Sequence, residues 1–407
     1  MDQLTDRQHI APGRIGLRDV FRGPLAIAFG ASVASVAGAT LLYPVLPVLA
    51  ADLAVDEARI GLVMVAFTAP AIVLAPLFGI LADLHGRRWM LVFGLTLFGL
   101  GGGAAAFAPS YDWVLIWRAI QGIGASALLP LTIVLISDIL PDDREIQGQG
   151  IKVALDRVAM IVLPLVGGAL AILSWRAAFV PFFLIALLAL AALLWMPETG
   201  RPGQDSLREY LARTSRAIRE PRLTLAFATG FLRFFLDYGL YTYLPILVAF
   251  RYGTTPVIIG VLIAASAAGS IVTAITIQRI YGRFATEKLL ALAFFASAIA
   301  MALPALGAPL WLVAIGMLLF GLGNGWISPL QKSLMTRRTP PELRGGVIAV
   351  DRVIQQIAKS SAPALLGLLL LVAPLEALFW IMCAMSALGT LALIVVAVMR
   401  DPGKSSW

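Results

Sequence analysis

Charge is the scarcest commodity in this chain. Of 407 residues only 13% are Asp, Glu, Lys or Arg, about half of what a soluble globular protein carries. There is one cysteine, Cys383, so a disulfide within the chain and a cysteine metal site are both excluded. Only two histidines occur, His9 and His85, too far apart in sequence to suggest a membrane metal site. The sequence holds no Walker-type phosphate loop, so direct use of ATP would require a partner chain. No Ser/His/Asp arrangement recommends itself either, and neither an enzyme nor a cofactor is expected.

Apolar residues fill the space. They make up 60% of the chain, and the mean hydropathy is +0.90. Blocks of about twenty apolar residues, the length that crosses a hydrocarbon core of roughly 30 Å, recur along the whole sequence. Twelve are predicted, at 24–48, 60–82, 89–108, 112–137, 149–173, 177–196, 223–250, 257–280, 289–306, 310–335, 346–372 and 375–399. The fold class expected is an all-α membrane protein of twelve transmembrane helices.

The net charge of +8 is explained by topology. Most Lys and Arg fall in alternate loops and in the tails, whereas only Arg59, Arg176 and Arg251 occupy the other loops. This is the positive-inside pattern, and it predicts both termini in the cytoplasm. A nucleic-acid partner is therefore not expected. Residues 1–23 lack the apolar core of a secretory signal and are expected to form a cytoplasmic tail, with a second tail at 400–407. The break at 197–222 is read as a cytoplasmic linker, with 205–219 either solvated or a short amphipathic helix on the membrane surface. It divides the chain into six-helix bundles at 24–196 and 223–399.

The two bundles repeat each other at a shift of 195 to 200 residues. "LYPVLP" (42–47) matches "LYTYLP" (240–245), and Ile60-Gly61 matches Ile259-Gly260. Gly86-Arg87 matches Gly282-Arg283, and "GIGASALLP" (122–130) matches "GLGNGWISP" (321–329). "PDDR" (141–144) matches "PELR" (341–344), and "ALDRV" (154–158) matches "AVDRV" (349–353). Six matches in the same order describe a parallel repeat, a transporter architecture with its substrate site between the halves near the midplane.

Several of these words resemble signatures of the major facilitator superfamily. "GILADLHGRRWML" (79–91) is similar to its loop signature G-x-L-x-D-[RK]-x-G-R-[RK] through Gly79, Leu81, Asp83, Gly86, Arg87 and Arg88, with Leu84 in place of the basic residue. "RAIQGIGA" (118–125) resembles the R-x-x-Q-G-x-G-A motif. "LPLVGG" (163–168) keeps P-x-x-G-G of the antiporter motif, with Leu163 where that motif has glycine. "SWRAAF" (174–179) and "MPET" (196–199) sit where drug-efflux relatives place similar words. The resemblance covers nearly the whole chain and is closest to the twelve-helix drug/proton antiporter branch. It implies two halves that rock about a central site, without naming a substrate.

It also implies a cytoplasmic gate. Asp83 would face the start of the eleventh helix near 344–347, Arg87 would bridge to Asp138, and Arg283 would address Asp156. Gly79, Gly86, Arg88, Arg157, Asp351 and Arg352 complete the gate set. The structural alternative is a loop whose arginines merely obey the positive-inside rule.

Charges inside spans are the sharper signal, because each costs at least ~2.5–3.5 kcal/mol at a helix centre. Arg233 and Asp237 lie one turn apart in the seventh helix. A carboxylate in a low-dielectric cavity can exchange a proton near neutral pH, and Asp237 is the candidate proton carrier, with Arg233 to moderate it. The alternative is a salt bridge within one helix. Arg118 belongs to the same set because relatives tie this arginine to proton coupling, the alternative being a bridge that holds helices together. In the eleventh helix Asp351, Gln355 and Lys359 are spaced by four, with Arg352, Gln356 and Ser360 alongside, so a polar stripe faces the other half or the cavity. Lys359, Gln355, Gln356 and Asn324, with Phe234, Tyr238 and Tyr241, are the predicted substrate-cavity residues; for Asn324 the alternative is an interhelical hydrogen bond.

The leading expectation is a monomeric, proton-coupled efflux antiporter of the inner membrane for amphiphilic, drug-like molecules. Alternatives are a symporter or exchanger of an anionic metabolite or siderophore, a lipid translocase, or a non-transporting receptor. Three intramembrane cations (Arg118, Arg233, Lys359) against the single deep acid Asp237, and a first span without charge, would suit the anionic alternative.

Overall fold

The computed structural model describes residues 15–16, 20, 23–199, 223–280, 283–339 and 344–399. The tails and most of the linker, including the segment 205–219, lie outside the described residues.

Long helices dominate: α1 Gly23–Asp52, with a tight turn at Tyr43–Val45, α2 Glu57–His85, α3 Arg87–Phe107, α4 Tyr111–Ile139, α5 Asp142–Leu173 and α6 Trp175–Trp195. The second set is α7 Thr224–Tyr252, α8 Pro256–Ile280, α9 Thr286–Ala305, α10 Leu310–Arg338, α11 Arg344–Leu369 and α12 Leu375–Met399. Ten of them contain stretches long and apolar enough to cross a membrane. The other two, α7 and α11, have 29 and 26 residues, about 40 Å of helix at 1.5 Å per residue. Their apolar runs are interrupted by Arg233 and Asp237 in one and by Asp351, Arg352 and Lys359 in the other. The set is consistent with the twelve expected spans, and the two helices that fall short are the two that carry the candidate site.

Packing repeats with a period of six helices. α1 touches α4, α5 and α6 as α7 touches α10, α11 and α12; α3 packs on α4 and α6 as α9 packs on α10 and α12. Between the sets the main contacts are α5 with α8 and α2 with α11, one the counterpart of the other. Lipid tails are as apolar as leucine, so close approach through small residues has to hold such helices together.

At one end the two sets meet through two matched pairs of glycine and carbonyl. A Cβ on Gly260 of α8 would lie 2.5 Å from the carbonyl oxygen of Pro164 in α5, and one on Gly61 of α2 would lie 2.9 Å from that of Pro363 in α11. A Cβ on Gly168 would lie 2.4 Å from the Pro256 oxygen, and one on Gly367 would lie 2.5 Å from the Ala58 oxygen. The Tyr243 hydroxyl donates to the Pro363 carbonyl at 2.7 Å, tying α7 to α11 within the second set at this end. Nearby, Asp52 at the end of α1 accepts from the Trp175 indole at 2.5 Å and from Arg176 at 3.1 Å, which accounts for the "SWRAAF" word.

At the opposite end the chain turns between α2 and α3 through Gly86, whose φ of +99° suits glycine and strains any side chain. The Arg88 amide donates to Glu198 at 3.2 Å and its guanidinium to the Leu193 carbonyl, fastening α3 to the end of α6. Arg87 bonds Asp138 of α4 and, at 3.1 Å, Asp83 one turn back.

Candidate functional site: a charged, aromatic-floored cavity

Between the two sets lies a cavity of about 880 Å³. Its mouth is the Asp83–Arg87 end, with Leu84 and Arg352 at the rim; its closed end is the glycine–carbonyl end. The halves are thus apart where the basic loops lie and together at the other side.

An aromatic floor shuts the deep end. Tyr43 of α1 is 2% exposed and meets the Tyr241 ring at 5.3 Å and the Tyr238 ring at 6.4 Å. Tyr241 continues to Phe320 at 6.0 Å and exchanges a hydrogen bond with Ser266 at 2.9 Å. Tyr43 and Tyr241 are the matching tyrosines of the two L-Y-x-x-L-P words, so the repeat brings equivalent residues face to face. Tyr43 and Phe67 are cavity residues that the sequence reading missed; the repeat match at Tyr43 was the available signal.

The charged centre is built by α7 and α10. Asp237 is 7% exposed yet lies on the cavity wall. Its Oδ1 accepts from Asn324 Nδ2 at 2.5 Å, and Asn324 Oδ1 in turn accepts from Arg233 Nε at 2.5 Å. Arg233 Nε stands 3.9 Å from Asp237 Oδ2, beyond hydrogen-bond distance. The asparagine is therefore the link between the two charges, which α7 presents one turn apart. Asn324 was expected on the wall of the substrate cavity; it lies behind Arg233 and Asp237 instead, because α10 packs against the outer flank of α7.

Lys359 of α11 enters from the other flank. Its ammonium sits 4.8 Å from the Phe234 ring centre and 5.7 Å from that of Tyr238. Among the described residues no carboxylate lies within ion-pair distance of it. Arg233 shares the Phe234 ring at 4.8 Å. Pro363, four residues on, leaves the Lys359 carbonyl without its helical donor. Gln355, Gln356, Arg352 and Lys359 all reach the cavity wall, so the α11 stripe faces inward.

Three gate expectations change on contact with the packing. Asp351 is 6% exposed and turned away from the cavity, accepting from Gln331 at 2.9 Å and Gln355 at 2.6 Å. Asp156 takes Lys152 at 2.8 Å and the Ser32 hydroxyl at 2.7 Å, while Arg283, expected as its partner, is exposed. Asp83 is bonded by Arg87, and that contact stays within the first six helices. Arg157 bonds across the halves instead, to Ser270 of α8 at 3.0 Å, and Ser360 meets Thr68 of α2 at 2.9 Å. Gly79 lines the cavity with open space around it.

Arg118, expected in proton coupling, is placed away from the cavity wall. It is fully buried, its guanidinium 4.2 Å from the centre of the Phe67 ring that screens it. It donates to the Val63 carbonyl at 3.3 Å and to Gln121 at 2.5 Å, so the R-x-x-Q word is a local bond inside α4. Its Nη2 has no hydrogen-bond partner among the described residues.

Among proteins of known function, the chain is 33% identical over 152 residues to the bacillibactin exporter of Bacillus subtilis, covering 36% of this chain and 37% of that protein. It is 30% identical over 157 residues to the quinolone resistance protein NorA of Staphylococcus aureus, covering 39% and 40%. The matched stretch thus spans about two-fifths of each relative's length. Solved structures with the same fold include a bacterial homologue of the human lysosomal transporter Spinster (TM-score 0.72, 17% identity, 92% of this chain and 94% of that one). The nucleoside transporter NupG is another (TM-score 0.75, 15% identity, 91% and 99%). The Major Facilitator Superfamily model matches residues 28–358 and 226–407. The chain belongs to the major facilitator superfamily and is a multi-pass membrane protein.

Proposed function

We propose that this protein exports small organic molecules from the cytoplasm in exchange for protons, by alternating access, with Asp237 carrying the proton. The observation that carries the proposal is the placement of Asp237: buried, on the wall of the central cavity, and tied to Arg233 through Asn324 instead of by a close ion pair. A carboxylate so placed is desolvated without being locked to its cation, the condition under which protonation can follow cavity occupancy. The groups facing it are Arg233 on its own helix, Asn324 on α10, the phenols of Tyr238 and Tyr241, Lys359 on α11 and Arg157 on α5. The positive-inside bias sets the basic mouth in the cytoplasm, so the structure corresponds to the loading state, and the glycine–carbonyl contacts form the outer seal. Partial similarity to an exporter and to a drug-resistance protein supports the outward direction.

In the cycle, substrate enters from the cytoplasm and displaces the proton from Asp237. The seal then opens as the mouth closes, substrate leaves, and a proton from outside neutralises the carboxylate for the return. The test uses energised inside-out vesicles with a lumenal pH dye and, as probes, a quinolone and ethidium. Addition of a transported probe should release protons from the lumen. Proton movement into the lumen together with the probe would establish symport and refute the exchange.

A further inference from the structure

The geometry points to aromatic zwitterions as the substrate class of this cavity: a flat ring bearing a carboxylate or comparable anion on one side and an ammonium on the other. The inference rests on the reading of Asp237 as a site where proton and substrate compete. Its substance is the sorting of charges on the wall.

Three acids line the cavity, and two of them are taken by neighbours: Asp83 by Arg87, and Asp156 by Lys152. The third, Asp237, has Arg233 only at the limit of ion-pair distance, 3.9 Å, and an amide as its one partner at hydrogen-bond distance among the described residues. Lys359 has no carboxylate partner among the described residues and rests instead on Phe234 and Tyr238. The deep wall therefore presents an acid loosely paired with Arg233 and an ammonium with no carboxylate at ion-pair distance among the described residues, with the Phe234 and Tyr238 rings against the ammonium and Phe234 shared with Arg233. An isolated ammonium in a low-dielectric cavity is costly, and cation–π contact offsets only part of that cost. A ligand anion on Lys359 completes it. A purely anionic ligand would meet the repulsion of Asp237 and would draw a proton onto it, coupling substrate and proton in the same direction. A ligand that also offers an ammonium to Asp237 competes with the proton, as exchange requires. The ring between the two charges would lie on the aromatic pair, whose faces suit a flat apolar body.

The test is binding to the purified full-length protein in lipid nanodiscs, which needs no gradient. The probes are 6-(aminomethyl)-2-naphthoate, its methyl ester (cation only) and its N-acetyl derivative (anion only). The zwitterion should bind about tenfold or more tightly than either single-charge analogue. Lys359→Gln should bring the zwitterion down to the affinity of the ester while leaving the ester unchanged, and Lys359→Arg should restore the difference. Asp237→Asn should abolish the advantage over the N-acetyl derivative. An ester that binds as well as the zwitterion overturns the inference, as does an equal loss for all three probes in Lys359→Gln or the absence of saturable binding by any of them. Zwitterion preference without proton exchange in vesicles would refute the coupling and keep the substrate class; exchange without the preference would do the reverse.

Discussion

The four glycines of the proposed outer seal invite a perturbation whose size follows from distances. In Gly260→Ala the new methyl would lie 2.5 Å from the Pro164 carbonyl oxygen, against an ordinary contact that begins at 3.4 Å, so α5 and α8 must separate locally by about 0.9 Å. At the other interface, α2 with α11, Gly367→Ala meets the Ala58 oxygen of the opposite half at 2.5 Å and, within its own half, the Tyr243 hydroxyl at 2.7 Å. Overpacking of this kind costs about 1–3 kcal/mol. Because the contacts join the two halves at one end, the penalty falls on the seal-closed conformation and is relieved when the seal opens. The population should then move toward the outward-open form by about 5- to 150-fold. Since Cys383 is the sole native cysteine, Cys383→Ser gives a clean background for spin labels at Asp56→Cys and Thr255→Cys, exposed sites in opposite halves beside the seal. The distance distribution should acquire a longer component in Gly260→Ala and shift further in the double substitution. Gly79→Ala, with open space around its new methyl, should leave it unchanged. A distribution identical to the parent in the folded double variant would refute the assignment of these contacts to one conformation.

Other consequences follow from the same geometry. Asn324→Ala leaves Arg233 and Asp237 each short of a hydrogen bond and should lower stability by about 1–3 kcal/mol, read as a fall in Tm; a cycle with Asp237→Asn should show coupling of about 0.5–3 kcal/mol. Gly86→Ala puts a side chain at φ +99° and a methyl 2.5 Å from the Glu198 carboxylate, and should cost about 1–3 kcal/mol that Glu198→Ala restores only in part, since the backbone strain remains. Export of a zwitterion against one proton moves one net charge per cycle. A lumen-positive potential of 100 mV in inside-out vesicles should therefore favour its accumulation by about 2.3 kcal/mol, whereas accumulation of a monocation should be indifferent to potential.

The sequence made the spans readable because their apolar runs are long, and it made the site readable because charge is rare enough for Arg233, Asp237 and Lys359 to stand out. The pairing of Tyr43 with Tyr241 was encoded in the repeat. What composition does not carry is the side of a helix that a neighbour covers. Asn324 bonds Arg233 and Asp237 because α10 packs on the flank of α7 away from the cavity, and no spacing within α10 announces that. Arg118 lies behind Phe67 for the same reason. The pair Asp156 with Arg283 fails on another ground, although Arg87 does bond Asp138: Asp156 is taken by Lys152 and Ser32 within its own half, while Arg283 is exposed.

The central claim is that Asp237 carries the proton. Its most direct test is transport by Asp237→Asn protein in reconstituted vesicles, comparing uptake driven by a pH gradient with exchange of labelled for unlabelled substrate at equal pH. The account predicts that gradient-driven accumulation is lost while exchange persists, because the amide keeps the shape of the site and cannot release a proton. Gradient-driven accumulation at the parent level in that variant would contradict it.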